Sequence, residues 1–125
     1  MSARILIAED EPNIVTSLEF LLQKQGYEVR VARDGEQALQ LAGSFRPDVV
    51  LLDVMMPVRN GFEVCRMIRE NAALAGVKIV MLTARGRDAE RDKGLALGAD
   101  AYMTKPFSTK ELLGKVAELV SRDAA

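Results

Sequence analysis

Three runs of consecutive apolar residues punctuate the chain: Ile5-Leu6-Ile7-Ala8, Val49-Val50-Leu51-Leu52 and Ile79-Val80-Met81-Leu82. A strand with one wet face alternates, so an unbroken apolar run reads as a strand buried on both faces. Glu28-Val29-Arg30-Val31-Ala32 does alternate and fits a sheet edge, as does the short last strand, Ala101-Tyr102-Met103-Thr104. Between the strands the spacing turns helical. Ile14, Leu18, Leu21 and Leu22 mark a helix that Pro12 opens and Gly26 stops. Asp34 with Gln37 signals a helix start, and Ala38, Leu41 and Ala42 carry that helix to about Phe45. Beyond Pro57, the turn pair Asn60-Gly61 precedes a helix from about Phe62 to Glu70. A polar segment, Arg85 to Asp92, leads into a helix ending at Gly98. Ser108 and Glu111 form a capping box for the last helix, carried by Leu112, Leu113, Val116, Leu119 and Val120.

Strand and helix thus alternate five times, which predicts a doubly wound α/β fold with a parallel sheet covered on both faces. Central apolar runs, edge strands and right-handed crossovers are all satisfied by the strand order 2-1-3-4-5. The 125 residues fit one domain, 1–125, with no linker or repeat. Composition changes the picture mainly by exclusion. No histidine is present, which removes His-based triads and His metal sites. The single cysteine, Cys65, rules out an internal disulfide framework and reads as a buried small hydrophobe. The net charge of −1 gives no footprint for direct nucleic-acid binding. No stretch has the apolar length for a membrane span, and the first apolar run is too short for a signal peptide. The cytoplasm is the expected compartment.

In such a sheet, ligands sit beyond the carboxyl ends of the strands, where the winding reverses. The residues expected there are Glu9 and Asp10 after the first strand, Asp53 after the third, Thr83 after the fourth and Lys105 after the fifth. Each has a bland alternative: helix-start acids, a strand-ending aspartate, a turn-forming threonine, a solvated lysine. All five converging on one rim of an otherwise apolar sheet points instead to phosphoryl transfer onto a carboxylate. Three clustered acids repel: one pair at about 5 Å, at an effective dielectric of 20, costs roughly 3 kcal/mol. Oxygen-only donors favour Mg2+ as the relieving cation. Asp53 is then the nucleophile, Lys105 pairs with phosphoryl oxygens, and Thr83 donates a hydrogen bond to one of them.

The chain resembles the receiver domains of two-component response regulators over nearly its whole length. The resemblance is carried by Ile7-Ala8-Glu9-Asp10-Glu11, Leu52-Asp53-Val54-Met55-Met56-Pro57 with Gly61, Leu82-Thr83-Ala84, Gly98-Ala99-Asp100-Ala101-Tyr102 and Lys105-Pro106-Phe107. It implies a flavodoxin-like three-layer sandwich in which Asp53 accepts a phosphoryl group from a phosphohistidine on a sensor histidine kinase or phosphotransfer protein. It further implies that Asp10, Asp53 and the Met55 main-chain carbonyl hold magnesium, with Glu9 acting through water. Thr83 and Tyr102 match a pair that moves together on phosphorylation, and Lys105-Pro106 matches a cis peptide bond. The output would pass to an effector protein or domain through the fourth helix, fifth strand and fifth helix, around Lys93, Tyr102 and Lys110. Such a domain catalyses its own phosphorylation and dephosphorylation without being a turnover enzyme. Winged-helix relatives commonly pair an acid after the position of Asp100 with an arginine of the last helix across a dimer. Ala101 and Lys115 stand there instead, which speaks against that dimer. With no effector domain before Ala125, the chain reads as a stand-alone receiver or an excised piece.

Three rival readings make different demands. An aspartyl-phosphate phosphatase of the haloacid-dehalogenase type wants its nucleophile after the first strand and a second Asp two residues on; Met55 occupies that second place after Asp53. A flavin or nucleotide module wants a Gly- or hydroxyl-rich loop after the first strand, which is acidic here. A degenerate receiver used only for protein contacts would lack pocket residues, and none is missing.

Overall fold

The computed structural model describes residues 2–84 and 88–124. Strand β1 (Arg4–Ala8), helix α1 (Pro12–Lys24), β2 (Glu28–Ala32), α2 (Gly35–Phe45), β3 (Val49–Asp53), α3 (Gly61–Glu70), β4 (Lys78–Ala84), α4 (Asp88–Ala96), β5 (Ala101–Lys105) and α5 (Thr109–Ala124) follow in strict alternation. The sheet is parallel, in the order β2-β1-β3-β4-β5. This is the doubly wound strand order expected from the apolar runs, and the flavodoxin-like arrangement that the resemblance implies. A single turn of 3-10 helix, Ala72–Leu74, precedes β4 and was not predicted. Arg85, the start of the expected polar segment, lies outside the described residues.

Side-chain alternation along the strands divides the apolar residues between two cores. Leu6, Ala8, Val50, Leu52, Ile79 and Met81 face one way, against Ala38 and Ala42 of α2 and Val64, Cys65 and Ile68 of α3. Ile5, Ile7, Val49, Leu51, Val80 and Leu82 face the other way, against Leu18 and Leu22 of α1 and Leu112, Val116 and Leu119 of α5. Every residue of β3 is buried, as a two-faced strand requires, whereas Glu28 and Arg30 of edge strand β2 are exposed. Burying one such Leu or Ile contributes about 1.5–3 kcal/mol, so the cores fix the strand registers firmly.

The caps at Asp34 and Ser108 sit where the sequence puts them, while Glu11 and Asn60 cap helices at positions the sequence did not single out as caps. Glu11 caps α1 ahead of Pro12, the side chain of Asp34 accepts from the Gln37 amide at 2.8 Å, and Asn60 and Glu63 form a reciprocal capping box on α3. The Ser108 hydroxyl accepts from the Glu111 amide at 3.0 Å, starting α5. Away from the rim, Arg69 of α3 bonds the carbonyls of Gly98 and Val77 at 2.8 and 2.7 Å and Asp100 at 2.6 Å, tying α3 to the lower end of β4 and β5.

Candidate functional site

Strand register alone brings the rim together. Ala8 lies beside Leu52, so the next residues, Glu9 and Asp53, leave the sheet side by side at the point where the winding reverses. Asp53 itself pairs with Leu82, which puts Thr83 one residue further out on β4, and Lys105 pairs with Ala84. Residues separated by as much as 96 positions therefore meet: the Lys105 ammonium lies 2.6 Å from Oε1 of Glu9 and 3.3 Å from Oδ1 of Asp53. Glu9, Asp53 and Thr83 are the buried polar side chains among the described residues. A core that admits polar groups only here marks the rim as the functional end of the sheet.

The loop after β3 wraps the carboxylate. The Met55 amide donates to Oδ1 of Asp53 at 3.2 Å, and the amides of Asp10 and Glu11 donate to Oε2 of Glu9 at 3.1 and 3.2 Å. Gly61 donates to the Val54 carbonyl at 2.9 Å, and a side chain there would collide with the Asp53 carbonyl oxygen. Between them Val58 adopts φ 70°, with the Arg59 amide closing a tight turn onto the Pro57 carbonyl at 2.8 Å. A β-branched residue at positive φ is strained, and Met55 and Val58 both expose their side chains on this loop. The Lys105–Pro106 bond is cis, in line with the resemblance.

The charges are unequally settled. Burial, reinforced by the hydrogen bond and charge of Glu9, pushes the Asp53 carboxyl up to about 6. Burial would also raise Glu9, but hydrogen bonds from Lys105, Asp53 and the Glu11 amide outweigh it and hold Glu9 below the usual carboxylate range. For Lys105, burial works against the charge, yet the two carboxylates outweigh it and keep the ammonium protonated more firmly than usual. The repulsion expected of three bare acids is thus softened, because Lys105 favours Glu9 and leaves Asp53 as the strained member of the pair.

Glu9, Asp10 and Asp53 each offer a carboxylate oxygen, all within 4.8 Å of one another. This donor set fits a hard divalent cation: all oxygens, no competing thiolate or imidazole, and a negative charge that Lys105 does not fully neutralise. Tyr102 stands apart from this cluster. It lies beside Met81 on the α4 side of β5, is 37% exposed, and accepts a hydrogen bond from Arg91 of α4 at 3.3 Å. Sequence reasoning did not identify Arg91, since nothing in the mixed charges around it singles it out. It also missed that Lys105 binds Glu9 more closely than Asp53. Lys115 pairs with Glu118 of its own helix at 3.4 Å.

A flavodoxin-like sheet with a buried, lysine-bridged acidic cluster at its switch point defines a class of signalling domain. Residues 5–117 match the response regulator receiver domain family, and the chain belongs to it. It is 43% identical over 122 residues to the alkaline phosphatase synthesis transcriptional regulatory protein PhoP of Bacillus subtilis (strain 168), covering 98% of this chain and 50% of that protein. The chain therefore spans about half the length of this curated relative. Among solved structures, the chemotaxis response regulator CheY4 of Vibrio cholerae superposes with a TM-score of 0.89 at 34% identity, covering 95% of this chain and 99% of that one. The receiver domain of sensor histidine kinase PA1611 from Pseudomonas aeruginosa PAO1, solved with magnesium coordinated in its active-site cleft, gives 0.88 at 33% identity, covering 97% and 99%. The chain is a receiver of the two-component type, with its acidic cluster at the carboxyl end of the sheet. No described helix is long and apolar enough to cross a membrane.

Proposed function

We propose that Asp53 accepts a phosphoryl group from a phosphohistidine of a sensor histidine kinase or phosphotransfer protein, and that Thr83 and Tyr102 pass the change to the surface formed by α4, β5 and α5. The observation that carries this reading is the Asp53 carboxylate. It is buried at the switch point, bridged by Lys105 at 3.3 Å and oriented by the Met55 amide at 3.2 Å. In the transfer, an Asp53 oxygen forms the new P–O bond as the donor's P–N bond breaks, and the electron pair leaves with the imidazole nitrogen. Lys105 neutralises charge on the transferred group and Thr83 donates to one of its oxygens. Catalysis is then positioning and charge neutralisation, with no separate general base required.

Glu9, Asp10, Asp53 and the Met55 carbonyl are the groups we assign to magnesium, Glu9 through water. The cation would supply charge neutralisation for the incoming phosphoryl oxygens. An effector protein or domain would read the α4, β5 and α5 face, and the domain itself has no part in binding nucleic acid or membrane. The cytoplasm, where a phosphohistidine donor would be met, is the proposed compartment. A phosphatase of the haloacid-dehalogenase type is disfavoured by the place of the nucleophile on β3 and by Met55.

The test is intact mass after treatment with acetyl phosphate and magnesium. Wild type should gain one phosphoryl group and Asp53→Asn none. Equal labelling of the variant moves the nucleophile elsewhere.

A further inference from the structure

Tyr102 poses an energetic question that the phosphorylation site does not answer. Its neighbour in register, Met81, belongs to the core beneath α3, so alternation puts Tyr102 on the α4 side of β5, the side that also carries Thr83 and Thr104. A large aromatic ring on that side would bury apolar surface by turning inward. It remains 37% exposed instead. Buried Thr83 on the same side limits the space within, and contacts made outside add to the outward preference.

Arg91 of α4 adds to that preference in two ways. Its Nη1 donates to the Tyr102 hydroxyl at 3.3 Å, and its guanidinium lies over the ring, 5.3 Å from the centroid. The planar group can do both at once, which a lysine ammonium cannot. Its Nε is bonded at 3.2 Å to Asp92, which steadies the guanidinium in that pose. Both contacts are made with the ring in its outward position, and an inward turn would carry the hydroxyl away from Arg91.

We propose that Arg91 is the positioning residue of the switch, a latch that holds Tyr102 outward in the resting chain and sets how readily it turns inward. This rests on the reading of Tyr102 as the switch residue. A contact made in one state alone is a differential interaction, so removing it shifts the balance between states. By the same linkage it must tighten binding of any ligand that prefers the inward state. Arg91 is therefore a threshold for activation, situated outside the phosphorylation pocket.

Fluorotyrosine incorporation with fluorine NMR reads the ring directly, and Tyr27→Phe assigns the two lines. Wild type, Arg91→Gln and Arg91→Lys are compared with and without beryllofluoride and magnesium as a stable phosphoryl mimic. In Arg91→Gln without the mimic, the Tyr102 line should move toward its mimic-bound position. The expected inward-to-outward ratio rises about fivefold, the size of one exposed cation–π contact with a hydrogen bond. Half-saturation by beryllofluoride should fall by up to the same factor, about fivefold. Arg91→Lys, which keeps a cation over the ring, should lie between the two. A line that responds to the mimic in wild type but ignores Arg91→Gln overturns the latch and leaves the switch reading standing. A line that responds to Arg91→Gln but never to the mimic overturns the switch reading, and with it the latch's part in signalling. A line that ignores both overturns both.

Discussion

Asp53 is the residue whose environment is least comfortable, and its discomfort has a sign. Its ordinary pKa of 3.8 is pushed up to about 6 by burial and by Glu9. The folded chain thus holds a proton that the unfolded chain has already released, and stability rises as pH falls through about 6, levelling off near 3.8. Glu9 works in the opposite sense. Burial alone would raise it, but its hydrogen bonds hold it below its ordinary 4.5, so its contribution is intact above 4.5 and fades only beneath it. Between about 6 and 4.5, then, the Asp53 contribution is separable from that of Glu9. In urea unfolding without metal, Asp53→Asn should be more stable than wild type near pH 7, by on the order of 2 kcal/mol. The gap should narrow toward about pH 5, where the wild-type carboxyl is protonated. A gap that widens on acidification would show that Asp53 is not the group held in the strained form.

At the scale of elements, the connection from β3 to α3 has the least freedom to vary. Gly61 begins α3 against the backbone it has just left: its amide bonds the Val54 carbonyl at 2.9 Å, and an added Cβ would lie 2.9 Å from the Val54 Cα. A backbone neighbour cannot swing away as a side chain can. Gly61→Ala should therefore cost about 2–4 kcal/mol in urea unfolding and slow acetyl phosphate labelling, because relief of the clash drags the Asp53 carbonyl and the Met55 amide. A stable variant that labels at the wild-type rate would mean the loop yields at no cost to the carboxylate. Asn60-Gly61 was visible in sequence as a turn, yet the reason for the glycine was not, since close approach is a fact of three dimensions. The same division runs through the chain. The unbroken runs of β1, β3 and β4, the caps Asp34 and Ser108 and the turn Asn60-Gly61 are local signals, and with right-handed crossovers they gave elements, order and rim. The turn at Ala72–Leu74 is too short to have a period, and β4 extends past its apolar run to Lys78 and Ala84 because ladder pairing outlasts hydrophobicity. The preference of Lys105 for Glu9 depends on reach across strands, which spacing along the chain does not encode.

At the scale of the molecule, the proposed function couples two sites: a pocket at one end of β3 and a surface around β5. Register supplies the physical link. Thr83 is paired with Thr104 and Met81 with Tyr102, so Thr83 and Tyr102 stand on adjacent strands and on one side of the sheet. Thr83 is buried at 3% exposure, whereas Tyr102 is outward. On the proposed reading, a phosphoryl group on Asp53 would offer the Thr83 hydroxyl a charged acceptor, and movement toward it would empty space on the side where Tyr102 could enter. Turning inward then recovers apolar contact for the ring. Because a ligand shifts an equilibrium only through its differential affinity, that reading requires both ring positions to be populated before phosphorylation. Thr83→Ala separates chemistry from response. It leaves Asp53, Glu9, Asp10 and Lys105 untouched, so the variant should still gain one phosphoryl group. Without the hydroxyl there is no group to be drawn, so most of the change at α4 and β5 should vanish. An NMR shift map of wild type and Thr83→Ala, each with and without beryllofluoride, measures this. Resonances of α4 and β5 that shift as far in the variant as in wild type would show that the signal leaves the pocket by another route.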